Sequence, residues 1–158
     1  MELDELVAAR GAALLRFAYL LCGDAHLAED LVQTVLARAY TKRSRVEAAD
    51  RLEPYVKRMI VNEHLTWRRR RSSGEVAVAE PADAVRPDAS ESVVDRDEVW
   101  RLLATLPPRQ RAVLVLRYYE DLPDAAIADA LGCADSAVRA YASRAMATLR
   151  IDEEARRG

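Results

Sequence analysis

The chain has 158 residues, 51% of them apolar and 32% charged, with five glycines, one phenylalanine and a net charge of −2. So small a net charge excludes a protein that coats nucleic acid over its whole surface, and no apolar run approaches the roughly 20 residues of a membrane span. Cys22, Cys133, His26 and His64 share no ligand spacing and the first residues carry acids, so the expectation is a soluble cytoplasmic protein with reduced thiols, no metal and no cofactor.

Leu, Ala, Arg and Glu fill most segments, which favours helix throughout. Residues 3 to 22 place Leu3, Val7, Leu14, Phe17 and Leu21 on one helical stripe that Arg10 interrupts. Gly23-Asp24 ends that helix and starts the next, because the Asp24 carboxylate can accept bonds from orphan amides. Leu27, Leu31, Val35 and Ala39 line one face of the second helix, with Glu29, Asp30, Gln33 and Arg38 on the other.

A basic loop follows, and Pro54 suits the first turn of a third helix, where its missing N–H costs nothing. That helix is expected to reach about Arg70 and to bury Val56, Met59, Ile60 and Trp67. Residues 72 to 92, SSGEVAVAEPADAVRPDASES, have Pro, Ser, Ala and acids without periodicity and read as a flexible linker. Charge follows the same division: Lys42 to Arg71 holds ten Lys/Arg against four Asp/Glu, and Ser72 to Glu98 holds two against eight. A basic block beside an acidic one points to a negatively charged partner for the first.

Near Val93 a second domain begins, with Val99, Leu102, Leu103 and Leu106 on one stripe. Pro107-Pro108 restarts the chain into RQRAVLVLRYY, Pro123-Asp124 opens DAAIADAL, and Gly132-Cys133-Ala134 turns into a final helix. That helix faces inward with Val138, Ala142, Ala145 and Leu149. Two helices joined by a short Gly-containing turn make a helix-turn-helix candidate. The expected fold is all-α: a helical domain over 1–71, a linker over 72–92 and a helix-turn-helix bundle over 93–152.

No serine or cysteine pairs with a histidine at a recurring spacing, and no glycine-rich loop could cradle phosphate, so neither an enzyme nor a small-molecule substrate is expected. His26 and His64 read as surface or boundary residues. In the basic helix, Lys57, Arg58, Asn62, Thr66 and Arg69 are expected along one flank, mixing phosphate-binding cations with groups that can meet base edges. Tyr55 and Trp67 offer rings on which unpaired bases could stack, or else belong to the core. Four adjacent cations, Arg68 to Arg71, ask for a negative counterpart. On the final helix the outward positions are Ser136, Ala137, Arg139, Ala140, Tyr141, Ser143 and Arg144. The two arginines can bond guanine or phosphate, and the alanines offer only apolar contact.

Two blocks carry a family resemblance. LLRFAYLLCGDAHLAEDLVQTVLARAYTK with EPYVKRMIVNEHLTWRRRR, and LPPRQRAVLVLRYYEDLPDAAIADALGCADSAVRAYASRAMATLR, resemble in that order domains two and four of the extracytoplasmic-function sigma factors of bacterial RNA polymerase. The small actinobacterial members are the most similar. The resemblance implies a promoter-specificity subunit whose partners are core RNA polymerase, promoter DNA and an anti-sigma factor. It implies polymerase binding at Glu29, Asp30, Gln33 and Arg38. Recognition and melting of the minus-ten element would fall to Tyr55, Lys57, Arg58, Asn62, Thr66, Arg68, Arg69 and Arg70, with the loop Val46 to Arg51 nearby. Minus-thirty-five recognition would fall to Ser136, Arg139, Ala140, Tyr141, Ser143 and Arg144. Tyr55 stands where the family often has Trp, Thr66 where many members have Asp, and Pro123 where Ser is frequent. Ala137, Ala140 and Tyr141 replace the usual Thr, Ser and a basic or amide residue. A stand-alone helix-turn-helix repressor and a helical protein with an acidic partner are the alternatives that the residues leave open.

Overall fold

A computed structural model describes residues 2–72 and 101–157, with side chains to Arg71 in the first stretch and to Arg150 in the second. The expected linker beyond Ser72, the start near Val93 and the Val99 position lie outside the described residues. Every element among the described residues is helical. The chain divides into two compact units, Met1–Arg86 and Pro87–Gly158, taken separately below.

In the first unit, α1 (Leu3–Cys22), α2 (Ala25–Thr41) and α4 (Leu52–Ser72) pack against one another, and the short α3 (Arg43–Glu47) bridges α2 and α4. Gly23 ends α1 in the left-handed region at φ 73°, its N–H donating to Tyr19 O at 2.7 Å. Asp24 Oδ1 then accepts from the amides of His26 at 2.9 Å and Leu27 at 3.1 Å, capping α2 as the sequence led one to expect. Leu3, Leu6, Leu14, Phe17, Leu21, Leu31, Val35, Val56, Ile60 and Val61 close the core. Each such side chain contributes roughly 1.5–3 kcal/mol of transfer free energy.

Four expectations need correction. Val7 is exposed, and Leu6 is buried in its stead, because the core stripe runs Leu3, Leu6, Ala13, Leu14 rather than through position 7. Met59 and Trp67 are only half-buried, and Val61 and His64 fill the core side of α4 instead. His64 is 1% exposed and therefore no surface histidine; it falls four residues after Ile60 and three after Val61, on the same side. The supposed loop before α4 contains α3, whose Val46 is 1% exposed, so a turn of helix is recruited to cover the end of the core.

Charge pairs tie this unit at its ends. Glu47 Oε2 accepts the backbone N–H of Leu3 at 2.7 Å and Arg43 Nε at 2.9 Å, fastening the start of α1 to α3. That amide hydrogen bond holds the Glu47 carboxyl below the usual range. Arg10 bonds both oxygens of Glu53, with Nε at 3.0 Å from Oε1 and Nη2 at 3.0 Å from Oε2. Lys57 Nζ reaches Glu53 Oε2 at 3.0 Å and lies 5.4 Å from the centre of the Phe17 ring. The residue that seemed to interrupt the α1 stripe is thus the one that fixes α1 to the start of α4.

The second unit is built on α7 (Asp135–Arg157), against which α5 (Pro108–Leu114) and α6 (Asp124–Leu131) pack. A π-helical turn, Val115–Tyr119, extends α5, with Glu120 N–H on Val115 O at 3.2 Å. The sequence RQRAVLVLRYY gave no sign of it. Within the wide turn Val115 and Leu116 continue the buried run of α5, and Tyr118 and Tyr119 emerge into solvent. Ile127, Leu131, Val138, Ala142 and Ala145 join Leu103 and Leu106 in the core, while Leu102 and Leu149 are half-buried.

The Arg10 and Lys57 bonds hold the Glu53 carboxyl below its ordinary value of 4.5, the Arg10 contact being the larger cause. A carboxylate so depressed adds stability above pH 4.5 that is lost as pH falls through and below that value. Glu53→Gln should cost about 1–3 kcal/mol at neutral pH, because it leaves the buried Lys57 ammonium without its counter-ion. Chemical denaturation of both proteins from neutral pH downward tests this: the gap should narrow below pH 4.5, and a constant gap would refute the assignment.

Candidate nucleic-acid and partner interfaces

The exposed side of α2 carries Glu29, Asp30, Gln33 and Arg38, as its periodicity requires once Ala28, Leu31, Val32, Val35 and Ala39 are buried. Leu27, assigned to the inner face, is half-buried. Glu29, Asp30 and Gln33 fall within one and a half turns and form a compact acidic and amide patch. Arg38 lies one turn further on and bonds Glu63 of α4. The patch can take a complementary, cation-bearing surface without disturbing the helix, since none of its members reaches the core.

On α4 the expected flank separates into two groups. Arg58, Asn62 and Arg69 are exposed, and Tyr55 and Thr66 are half-buried beside them. Lys57 does not belong with them. It is 7% exposed and committed to Glu53 and Phe17. Helical geometry explains the correction: five residues before Asn62 is about 140° around the helix, which returns the side chain to the Val56, Ile60 and Val61 side. Arg68 is half-buried for the same reason, about 120° from Asn62, whereas Arg70 is exposed. The Arg71 guanidinium covers the Trp67 ring at 5.3 Å, so the indole face nearest the helix end is already engaged. What remains in solvent is a strip of polar and cationic side chains with the Tyr55 ring at its N-terminal end. Such a strip suits a phosphate backbone with bases turned toward Asn62 and Thr66.

In the second unit α6, the turn 132–134 and α7 make the helix-turn-helix. Gly132 ends α6 at φ 69°, and Cys133 N–H bonds Ala128 O at 3.0 Å. Three arginines brace this arrangement, none of them singled out by its sequence context. Buried Arg111 donates to Leu103 O at 3.1 Å and to Leu106 O at 2.9 Å. Arg109 Nη1 donates to Leu131 O at 3.4 Å, at the end of α6. Arg117 Nη2 meets Asp124 Oδ1 at 2.5 Å, at the start of α6, and that bond raises the guanidinium further above its ordinary range. Guanidinium groups on helix-terminal carbonyls satisfy acceptors that the helix itself leaves open.

On α7, Ser136, Arg139, Ser143 and Arg144 are exposed, and Ala137, Ala140 and Tyr141 half-buried. Val138, Ala142 and Ala145 hold the other side against the bundle. The outward face near the N-terminus is therefore Ser136, Arg139, Ala140 and Ser143, the end of a second helix that enters a major groove in proteins of this kind. Arg139 and Arg144 are separated by about 140° and cannot address the same groove edge. Among the described residues no group of His, Cys, Asp and Glu could hold a metal ion, and no helix is long and apolar enough to cross a membrane.

Residues 6–74 match the Sigma-70 region 2 family and residues 96–149 match Sigma-70, region 4. The chain is 36% identical over 156 residues to an RNA polymerase sigma-E factor of Streptomyces coelicolor, covering 99% of this chain and 88% of that one. It is 32% identical over 145 residues to the ECF RNA polymerase sigma factor SigL of Mycobacterium tuberculosis, covering 89% of this chain and 82% of that one. Among solved structures, it is similar to the sigma factor RpoE in complex with the anti-sigma factor NepR from Bartonella quintana. That likeness has a TM-score of 0.72 at 27% identity, over 93% of this chain and 92% of that one.

The turn between α6 and α7 supplies a direct test of what sets the angle of the last helix. A Cβ at Gly132 would meet nothing within 4 Å, so the cost of a side chain there is purely that of its positive φ. Gly132→Ala should destabilise the protein by roughly 1–2 kcal/mol, and Gly132→Asn by less. Thermal unfolding ranks the three; an alanine variant as stable as the parent would show that the turn does not require the left-handed conformation.

Proposed function

This chain belongs to the sigma-70 family, in its extracytoplasmic-function group, and from that membership we propose which of its residues meet each partner. The family's function is that of a promoter-specificity subunit, which binds core RNA polymerase and directs transcription initiation at a subset of promoters. Binding and positioning are its whole task, with the chemistry left to polymerase, and its place of action is the cytoplasm.

Glu29, Asp30, Gln33 and Arg38 on α2 dock on core polymerase. Arg58, Asn62, Thr66, Arg69 and Arg70 with Tyr55 on α4 hold the minus-ten element as it opens, the cations on phosphates and Asn62 on a base. Arg68 contributes to the phosphate field at the helix end, and Lys57 supports α4 from within. Ser136, Arg139, Ala140, Ser143 and Arg144 on α7, with Tyr141 at their margin, meet the minus-thirty-five element. An anti-sigma factor, as the Bartonella relative has, is the partner that would withhold these surfaces.

The observation that carries this reading is the division of α4. One side is closed by Val56, Ile60, Val61 and His64, and the opposite side is left with Arg58, Asn62 and Arg69 in solvent. Purified chain added to core polymerase should give a transcript from a specific template that core alone does not transcribe. Tight binding to duplex without polymerase, and no transcript, would favour the stand-alone repressor. In the same assay Asp30→Arg should leave circular dichroism unchanged while core binding falls about tenfold, since it reverses a charge at an exposed position. Co-purification with core at parental yield would remove Asp30 from the docking surface.

For α7, Arg139 lies nearer the helix start and is set to reach a base edge, with Arg144 on a flanking phosphate. Arg139→Ala should cost about 1–3 kcal/mol and relax preference at one or two positions, whereas Arg144→Ala should weaken all sequences nearly equally. Holoenzyme titrations against a set of single-base minus-thirty-five variants would separate the two. Equal loss across the set for both variants would mean that Arg139 does not read a base.

A further inference from the structure

Helix α4 carries two acids, Glu53 and Glu63, and each is held by a cation from a different helix. Glu53 is taken by Arg10 of α1, with help from Lys57 of α4 itself. Glu63 is taken by Arg38 of α2, whose Nη1 donates to Glu63 Oε1. The two pairs differ in where they stand. Glu53 begins the helix, away from the strip of exposed polar groups. Glu63 directly follows Asn62 and precedes Thr66 by three residues. At 100° per residue it lies about 60° around the helix from Thr66 and about 20° from Arg70.

A carboxylate at that position borders a surface otherwise made of Arg58, Asn62, Thr66, Arg69 and Arg70. Any nucleic-acid backbone following the strip passes within the roughly 8–10 Å over which unscreened charges interact in physiological salt. Left alone, Glu63 would repel it. Arg38 cancels that charge at its source, and the pair is poised to do so. Glu63 is 19% exposed and fixed by its helix, while Arg38 is 57% exposed and reaches over it from the neighbouring one.

Resting on the assignment of the α4 strip to minus-ten DNA, we infer that Arg38 is a positioning residue for DNA: it acts through Glu63, neutralising the α4 acid that borders the reading strip. The residue that the family pattern gives to the polymerase face thereby belongs to the DNA face as well. The docking helix and the reading helix share this ion pair, so it remains in place when core polymerase is bound and α4 meets DNA.

The test uses holoenzyme assembled with saturating core polymerase and a forked template whose minus-ten segment is single-stranded. Arg38→Ala should weaken binding about two- to fivefold, the range of a single partly exposed charge pair. Glu63→Gln alone should bind at least as well as the parent. The double variant Arg38→Ala/Glu63→Gln should recover parental affinity, because the repelling charge is gone. A loss that persists in the double variant, with core saturating, would overturn the inference by showing that Arg38 acts on DNA binding other than through Glu63. Parental binding by Arg38→Ala would overturn it too. Asn62→Ala runs alongside: if it weakens binding while Arg38→Ala does not, only the Arg38 inference fails. If neither variant has an effect, the assignment of the strip to minus-ten DNA fails with it.

Discussion

One helix in the first unit has to satisfy two solvents at once. α4 must present an unbroken apolar side to α1 and α2, and must keep its opposite side wet and cationic. Its 3.6-residue period decides which residue does which. Val56, Ile60, Val61 and His64 fall inward, and Arg58, Asn62 and Arg69 fall outward. The cost of this arrangement collects where the sequence puts a charge on the wrong side. Lys57 is that residue, and its place under the surface is filled by contacts with Glu53, itself held by Arg10, and with the Phe17 ring.

The second unit solves a different problem with similar means. Two of its helices, α5 and α6, are short, and short helices spend most of their backbone groups at their ends. Arginines supply the missing donors: Arg111 to two carbonyls beyond the preceding helical turn, and Arg109 to the last carbonyl of α6. Arg117 closes on Asp124 at the opposite end of α6. Those cations look like candidates for nucleic-acid contact in a bare sequence. Here they are internal braces, which leaves Arg139 and Arg144 as the outward ones on the N-terminal half of α7.

Much of this was legible from the residues. The Gly23-Asp24 junction, the inward runs of α2 and α7, and the helix-turn-helix follow from period and capping chemistry alone. So does the outward set Glu29, Asp30 and Gln33. What escaped were positions decided by tertiary contact. Lys57 reads as a surface cation because its i,i+4 partner Glu53 is visible locally, while the Arg10 and Phe17 contacts from α1 that cover the pair are not. His64 reads as a boundary residue because a polar type was weighed above its spacing from Ile60 and Val61. Whether α3 exists depends on a core end that needs covering, and no local signal in RQRAVLVLRYY marks the π-helical turn.

The small side chains of α7 have a consequence for how such a protein diverges. Ala142 and Ala145 let this helix sit close on its neighbours, and that side tolerates little change. Ala137 and Ala140, on the half-exposed side, carry neither a polar group to lose nor a packing obligation of any size. Substitutions at those two positions therefore leave the packed side of α7 untouched, so one face of the helix can change without loosening the bundle. The helix separates what selection must preserve from what it is free to explore.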